Sequence, residues 1–174
     1  MKFPDKIAFI GMPSSGKGTV GKELAEKLNY GFIDLDTMVE QKEGDSLINV
    51  MNTKGAEYFR SMEYDFLMEI KLDAKVVISP AGSIILKAEA IDWLSKNTFL
   101  IFLNTPFNVI EERLAIKPKA VFGLKDRGLK SIWDERMPLY KEYADLIVST
   151  EGKGAEQITN EIIESFNENS SNLN

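Results

Sequence analysis

The chain has 174 residues, with 21 Lys and Arg against 27 Asp and Glu, and it contains neither cysteine nor histidine. This length suits one globular domain, and the missing residue types exclude disulfides, thiolate nucleophiles, imidazole bases and most zinc sites. The net charge of −6 argues against a nucleic-acid partner, which requires a basic face. Acid–base chemistry near neutral pH must therefore use a carboxylate, a lysine or a tyrosine.

The beginning of the chain does not resemble a signal peptide, because its apolar run 7–10 ends at Gly11. No stretch approaches the ~20 apolar residues that a membrane span needs. We therefore expect no membrane partner and a cytoplasmic location.

Short apolar runs alternate with helical patterns along most of the chain. This alternation predicts an α/β domain with a mostly parallel sheet covered by helices on both faces. The predicted strands are 7–10, 32–35, 76–79, 99–103 and 146–148. Between them, apolar residues at helical spacing predict the buried faces of two helices: Val20, Leu24 and Leu28 in the first, and Phe59, Met62, Phe66 and Ile70 in the second.

The segment 115–129 interrupts this alternation with lysines, Pro118, Gly123 and Gly128. It predicts a mobile lid, and an ordinary surface connection is the alternative. The last residues, 167–174, are rich in Asn and Ser, and we expect them to be a disordered tail. We accordingly predict a single domain over residues 1–166.

A glycine-rich loop follows the first predicted strand and precedes the first predicted helix. Its sequence, Gly11-Met-Pro-Ser-Ser-Gly16-Lys17-Gly18-Thr19, is typical of a phosphate-binding loop in this context. Glycines let backbone N–H groups surround phosphate oxygens, the helix N-terminus adds partial positive charge, and a lysine reaches the outer phosphates. The residues predicted to bind ATP here are Gly11, Ser14, Ser15, Gly16, Lys17, Gly18 and Thr19.

Gly18 departs from the usual loop, which places a Ser or Thr hydroxyl on Mg²⁺ directly after the lysine. Thr19 lies one position later. The metal is then held through water, or another group supplies the contact. With Pro13 before it, the Gly-Lys-Gly-Thr form is similar to the loop of nucleoside monophosphate kinases, but their Asp-Gly-x-Pro-Arg segment is missing here.

Three further blocks follow the loop in order: Phe32-Ile-Asp34-Leu-Asp36-Thr-Met-Val-Glu40, then Gly55-Ala-Glu-Tyr-Phe59-Arg60-Ser-Met-Glu63, then Arg136-Met-Pro-Leu-Tyr140 with Ala144-Asp145. Over roughly residues 5–150 this series resembles shikimate kinase. The resemblance implies a three-layer fold with a five-stranded parallel sheet and a mobile lid. It also implies a monomer that uses Mg²⁺ and transfers the γ-phosphoryl group of ATP to the 3-hydroxyl of shikimate.

Asp34 and Asp36 alternate at the end of a predicted strand, so we expect their side chains on opposite sides. One can then face a nucleotide-bound Mg²⁺, which prefers carboxylate and water oxygens. The resemblance assigns Asp34, with Thr19, to the metal. It assigns Asp36 to the attacking hydroxyl as a catalytic group together with Lys17 and Arg60.

Arg60 and Arg136 are candidates to bind the carboxylate of the acceptor, since guanidinium grips a carboxylate with two hydrogen bonds. The resemblance implies that role for both, and implies that Glu63 helps to fix the geometry. It also places Gly82 at the substrate. Here the family has three glycines after the third strand, whereas this chain reads Ser79-Pro80-Ala81-Gly82-Ser83, and a different hydroxylated acceptor could fit.

Several cations are candidates to neutralise the transferring phosphoryl group, and two of them, Arg113 and Lys117, are also predicted to bind ATP. They are Arg113, Lys117, Lys119, Lys125 and Arg127. Where the family has Arg-Pro-Leu-Leu in the lid, this chain has Lys117-Pro-Lys-Ala. Lysine keeps the charge and loses the planar fork, so the role of the family's arginine could pass to Arg127.

Three interpretations stay open from the sequence. The first is a shikimate kinase. The second keeps the fold and the ATP site but uses another acceptor, either gluconate or a nucleoside monophosphate. The third is a shikimate-kinase-like protein with little catalysis, which the changes at Gly18, Pro80–Ala81 and Lys117 would explain.

Overall fold

The computed structural model describes residues 3–71 and 75–171, and a five-stranded sheet forms its centre. In chain order the strands are β1 (Lys6–Ile10), β2 (Gly31–Asp34), β3 (Val76–Ser79), β4 (Phe99–Asn104) and β5 (Leu146–Ser149). They lie in the order β2-β3-β1-β4-β5, and every neighbouring pair is parallel. The predicted sheet is confirmed, and each strand boundary agrees to within one residue.

Eight helices and a short 3₁₀ segment connect the strands in the described part of the chain. The helices are α1 (Lys17–Leu28), α2 (Leu35–Glu43), α3 (Leu47–Lys54), α4 (Ala56–Met68), α5 (Ala88–Asn97), α6 (Phe107–Ile116), α7 (Leu124–Tyr143) and α8 (Ala155–Ser171). The 3₁₀ segment is Gly82–Leu86.

Both faces of the sheet are buried by these helices. On one face, Phe9 of β1 packs with Val20 and Leu24 of α1 and with Ile162 of α8. On the other face, residues of α5, α6 and α7 pack against β1, β3 and β4. Burial on two sides explains why the central strands β1, β3 and β4 are almost continuously apolar.

Helices α2, α3 and α4 form a smaller apolar cluster of their own, which contains Val39, Leu47, Val50, Phe59 and Met62. Side-chain caps define where two of these helices begin: Asp34 accepts a hydrogen bond from the Thr37 amide at 3.0 Å, and Ser46 accepts one from Asn49 at 3.3 Å. This cluster forms the wall of the site on the β2 side.

Strand order decides where a ligand can bind. The chain leaves β1 to build β2 and β3 on one side and then crosses to β4 and β5 on the other. A crevice forms beyond the carboxyl ends of the strands at such a reversal. The phosphate loop follows β1, so it lies at this place.

Two features of the fold differ from the sequence predictions. The predicted disordered tail is wrong as far as Ser171, because α8 continues to that residue; the remaining tail residues, 172–174, lie outside the described part of the chain. Helix α7 begins inside the predicted lid and is interrupted at Gly128, where φ is 72°. In residues 3–71 and 75–171, no helix is both long and apolar enough to cross a membrane.

Candidate active site

A cavity of about 420 Å³ opens beyond the carboxyl ends of β1, β2 and β3. Its walls come from the phosphate loop, the β2–α2 junction, the start of α3, the loop after β3 and the connection between α6 and α7. Arg136 of α7 also lines it. Residues from most of the motifs therefore meet in one cavity, although those motifs are spread over more than a hundred positions of the chain.

The phosphate loop closes around its own lysine. Lys17 Nζ donates hydrogen bonds to the carbonyl oxygens of Gly11 at 2.9 Å and Met12 at 3.0 Å. Ser14 adopts a left-handed conformation with φ 64°, and its carbonyl oxygen accepts a hydrogen bond from Arg113 Nη1 at 3.0 Å. Because α1 begins at Lys17, the free amide groups of its first turn face the cavity, as a phosphate site requires.

The predicted ATP-binding residues divide into two groups. Those that line the cavity are Ser14, Gly16, Lys17, Gly18, Thr19 and Lys117. Gly11, Ser15 and Arg113 lie behind it: Gly11 and Arg113 support the loop through the hydrogen bonds above, and Ser15 is buried. The Ser15 hydroxyl has no hydrogen-bond partner among the described residues.

Burial lowers the pKa of Lys17 from 10.5 to about 8, and the nearby charge of Lys119 acts in the same direction. Asp36 and Asp34 oppose this shift. The lysine is therefore held between a cation of the lid segment and two carboxylates. A polyphosphate in the cavity would favour its charged form again.

A carboxylate oxygen of Asp34 lies where a side chain at position 18, directly after Lys17, would begin. A Cβ atom on Gly18 would lie 3.0 Å from Asp34 Oδ2, so the absence of a side chain makes room for that oxygen. The other oxygen of Asp34 is fixed by its hydrogen bond from the Thr37 amide. The missing hydroxyl at position 18 and the placement of Asp34 are thus two parts of one arrangement.

These oxygens fit the Mg²⁺ ion that the family resemblance implies. Asp34 Oδ2 and the Thr19 hydroxyl group are hard oxygen ligands at the same cavity as the phosphate loop, and the nearby Asp36 Oδ1 is buried with no partner among the described residues, which leaves its charge without a compensating hydrogen bond there. Within that part of the chain, no three His, Cys, Asp or Glu side chains cluster as a metal site. Phosphate oxygens and water would therefore complete the coordination, as Mg²⁺ commonly requires.

Asp36 does not alternate with Asp34 along a strand, contrary to the sequence prediction. Strand β2 ends at Asp34, which caps α2, and Asp36 lies in the first turn of that helix. Both side chains consequently line the same cavity instead of pointing to opposite sides. Burial, followed by the like charge of Asp34, raises the pKa of Asp36 to about 6.

Glu63 lies behind the cavity wall and is almost fully buried. Its Oε1 accepts a hydrogen bond from the Ala81 amide at 2.5 Å, which connects α4 to the loop after β3. Burial raises the pKa of Glu63 to about 8, and the charge of Asp36 contributes in the same direction. The first role of Glu63 in this structure is to hold the loop that carries Ala81.

The loop after β3 packs directly on the phosphate loop through Gly82. A Cβ atom on Gly82 would lie 2.6 Å from Pro13 Cδ and 3.1 Å from the Gly11 carbonyl oxygen, so no larger residue fits. The carbonyl oxygen of Gly82 accepts a hydrogen bond from the Tyr140 hydroxyl at 2.5 Å. This requirement explains why Gly82 is present in a loop that otherwise departs from the family's glycines.

The two candidate carboxylate-binding arginines lie in different places. Arg136 is fully buried and lines the cavity; its Nη2 donates to the Phe122 carbonyl oxygen at 2.8 Å. Its Nε and Nη1 atoms are buried without a partner in the described residues, and burial lowers its pKa. Arg60 lines a separate surface cleft, where Nη1 bonds to Glu57 at 3.0 Å.

The cations of the predicted lid also lie in different places. Lys117 and Lys119 line the cavity. Arg127, which the sequence offered as the substitute for the family's lid arginine, instead forms a two-armed ion pair with Glu135 at 2.8 and 3.0 Å. Lys125 bonds to Asn52 at 2.7 Å. In this conformation the two lysines, and neither Lys125 nor Arg127, carry the lid's charge into the site.

Comparison of the chain with known protein families identifies the family to which it belongs. The family model described as shikimate kinase matches residues 13–167. That match covers most of the chain, including every block that forms the cavity. The chain belongs to the shikimate kinase family.

Individual relatives agree with this membership. A shikimate kinase of Persephonella marina is 34% identical over 90% of this chain and 96% of its own. One from Dictyoglomus turgidum is 35% identical over 91% of this chain and 95% of its own. A solved structure of shikimate kinase from Acinetobacter baumannii in complex with shikimate matches with a TM-score of 0.85 and 26% identity, covering 97% of this chain and 95% of the other.

Sequence reasoning about the family missed some residues of the site. Phe122 contacts Arg60 and Arg136, and Tyr140 fixes Gly82; neither was assigned a role. Tyr140 could have been found, because it ends the Arg136-Met-Pro-Leu-Tyr140 block. Phe122 had no such signal, since it lies in the segment where the chain departs from the family.

Proposed function

We propose that the chain is a shikimate kinase, which transfers the γ-phosphoryl group of ATP to the 3-hydroxyl of shikimate. The observation that carries this proposal is that the buried guanidinium group of Arg136, which lines the same cavity as Lys17 and Asp36, has two nitrogen atoms with no hydrogen-bond partner among the described residues. A buried cation with free donors is costly unless a ligand anion satisfies it. Shikimate carries both the carboxylate for Arg136 and the hydroxyl for Asp36.

The phosphate loop binds the nucleotide in this proposal. The free amide groups at the start of α1 and the Lys17 ammonium group contact the phosphates, and Lys17 exchanges the carbonyl oxygens of Gly11 and Met12 for phosphate oxygens. Asp34 and Thr19 at the cavity wall would help to hold Mg²⁺, which would neutralise charge on the phosphate oxygens.

Asp36 acts on the acceptor. With a pKa of about 6 it is ionised at neutral pH, and it is basic enough to accept the proton of the attacking hydroxyl as the new O–P bond forms and the bond from the γ-phosphorus to the departing ADP oxygen breaks. Lys17, Lys117 and Lys119 stabilise the charge on the transferring phosphoryl oxygens. Phosphoryl transfer then needs mainly alignment and electrostatic stabilisation, which this cavity supplies.

The acceptor is positioned by groups from α4, α7 and the loop after β3. Arg136 binds the carboxylate, and Arg60 joins it when it turns into the cavity. Glu63 and Tyr140 hold Ala81 and Gly82, so the shape of this loop is maintained although only one of the family's three glycines remains. Because these arginines are assigned to a carboxylate, the acceptor is an alcohol that carries one. A nucleoside monophosphate has no carboxylate and is therefore a poorer candidate.

The test is ADP release from ATP and Mg²⁺ with shikimate, gluconate or nucleoside monophosphates as acceptors. We expect turnover with shikimate alone, within the usual enzyme range of about 1–10³ s⁻¹. Arg136→Met should raise the KM for shikimate at least ~10²-fold, because it removes the carboxylate's charged partner. The matched control Arg127→Met removes an arginine that pairs with Glu135, and its KM should stay within about threefold.

ADP release with another acceptor and none with shikimate would overturn the choice of substrate. ATP binding without turnover on any acceptor would overturn the catalytic assignment altogether. We also propose that the protein is a monomer, which sedimentation of the free and ATP-bound protein would test.

A further inference from the structure

Phe122 contacts both arginines that the proposed function assigns to the acceptor's carboxylate. Its backbone carbonyl oxygen accepts the hydrogen bond from Arg136 Nη2 at 2.8 Å. Its ring faces the Arg60 guanidinium group, whose central carbon lies 4.7 Å from the ring centre. Phe122 itself lines the cavity. One residue of the connection between α6 and α7 therefore touches the two cations in different ways.

The ring is the stronger of two contacts that keep Arg60 out of the cavity. The second contact is the ion pair with Glu57, at 3.0 and 3.3 Å, but the Glu57 side chain is 77% exposed. Exposed ion pairs of this kind contribute little. The Arg60 side chain is only 17% exposed, and a cation on an aromatic face gains strength when it is shielded from water.

Arg136 is placed differently, since it already lines the cavity, and its Nε and Nη1 have no hydrogen-bond partner in the described part of the chain. Its bond to the Phe122 carbonyl uses a third nitrogen, so a carboxylate can bind Arg136 without breaking that bond. Arg60, by contrast, can reach a ligand in the cavity only by leaving the ring of Phe122. An acceptor that recruits both arginines must therefore displace one aromatic contact.

We propose that Phe122 is a positioning residue that sets the affinity for the acceptor. It does so by holding Arg60 away from the cavity until a carboxylate competes for the guanidinium group. This inference rests on the proposed function. A ligand's apparent affinity is reduced by the fraction of molecules that are not competent to bind it. Without ligand, the Arg60 guanidinium group packs on the Phe122 ring. Weakening this cation–aromatic contact should therefore tighten the binding of shikimate and leave the binding of ATP unchanged.

The experiment compares Phe122→Leu with Phe122→Tyr by calorimetric titration of shikimate without nucleotide. Leucine keeps an apolar side chain and loses the aromatic face, so we expect the dissociation constant to fall about two- to fivefold. Tyrosine keeps the face and should bind shikimate as the wild type does. The KM for ATP should be unchanged in both variants, which separates positioning of Arg60 from a general change in the site.

Tyr58→Leu is the matched control. Tyr58 lies on the same helix as Arg60, and its ring also faces a cation, Lys54 Nζ at 5.0 Å, but it does not line the cavity. Loss of that pair should leave shikimate binding unchanged. Glu57→Gln changes a side chain that is 77% exposed, and it should tighten shikimate binding about twofold by weakening the second contact of Arg60.

Equal or weaker binding in Phe122→Leu, or weaker binding in Glu57→Gln, would overturn this inference. Wild-type protein that neither binds nor phosphorylates shikimate would instead overturn the proposed function. The two failures are therefore distinguishable, because the first is a comparison between variants and the second concerns the wild type alone.

Discussion

Asp36 shows how neighbouring charges set the chemistry of a single residue. Burial and the like charge of Asp34 raise its pKa to about 6, whereas Lys17 and Lys119 act in the opposite direction. A carboxyl group with this pKa is mainly ionised at pH 7 and is a stronger base than a solvent-exposed aspartate. The helix start at Leu35 creates this environment, because it brings both carboxylates to one cavity.

At this residue, Asp36→Asn should lower kcat at least ~10²-fold with little change in the KM for ATP, because the amide keeps the shape but cannot take a proton. For the wild type, kcat/KM for shikimate should fall as the pH drops through about 6, since protonation removes the active carboxylate form. Steady-state kinetics over pH 5–8 measure both effects. Asp92→Asn, which changes a surface aspartate paired with Lys96, is the control. Unchanged turnover in Asp36→Asn would remove this residue from the mechanism.

The connection between α6 and α7 departs from the family pattern at Lys117-Pro-Lys-Ala. It brings Lys117, Lys119 and Phe122 to the cavity, and α7, which follows it, is interrupted at Gly128. Arg127 and Lys125 are engaged elsewhere, by Glu135 and Asn52. The element therefore supplies two ammonium groups where the family has one planar arginine, and its mobility as a lid stays a prediction.

The roles of Lys119 and Lys117 should be distinguishable by the effect of each lysine on the pKa of Asp36. The charge of Lys119 is among those that lower the pKa of Asp36 and of Lys17. Lys119→Met should therefore lower kcat at least ~10-fold and move the acid limb of kcat/KM to higher pH. Lys117→Met should lower kcat and leave that limb in place. An unmoved limb in Lys119→Met would contradict this assignment.

At the scale of the whole molecule, the buried ionisable groups of the site lower the stability of the ligand-free protein. Lys17, Glu63 and Arg136 are buried, and Glu63 lacks a salt bridge among the described residues. Buried ionisable groups are destabilising in their charged form unless a partner compensates them. Substrates that bring phosphates and a carboxylate to this cavity should therefore stabilise the protein as they bind.

Glu63→Gln should stabilise the ligand-free protein at alkaline pH. Because the folded pKa of Glu63 is about 8 and its ordinary value is 4.5, the folded state binds more protons than the unfolded state between these values. The wild type then loses stability as the pH rises through this window, by a few kcal/mol at most. A glutamine side chain does not titrate in this range, and its amide oxygen can still accept the hydrogen bond from the Ala81 N–H group.

Denaturant unfolding at pH 5.5 and at pH 8 measures this effect, as the difference in unfolding free energy between Glu63→Gln and the wild type. That difference should grow with pH. Glu111→Gln, at an exposed position of α6, should show no such growth. Equal differences at the two pH values would contradict the raised pKa of Glu63.

The sequence by itself determined the sheet, the phosphate loop and the family. Strands buried on both sides must be apolar throughout, and a phosphate loop needs glycines and a lysine at short spacing, so both leave local patterns that can be read directly. The blocks around Asp34, Arg60 and Arg136 appear in order along the chain, and this order identified the shikimate kinase family.

Only the tertiary structure decided how those residues meet. The sequence could not tell that α2 begins at Leu35, which puts Asp36 beside Asp34, or that Arg60 turns to Phe122 and Arg127 to Glu135. Nor could it pair Tyr140 with Gly82, 58 positions away. Local periodicity fixes elements, whereas the direction of a long charged side chain depends on which partners packing brings within reach. In this protein those partners come from other elements of the fold.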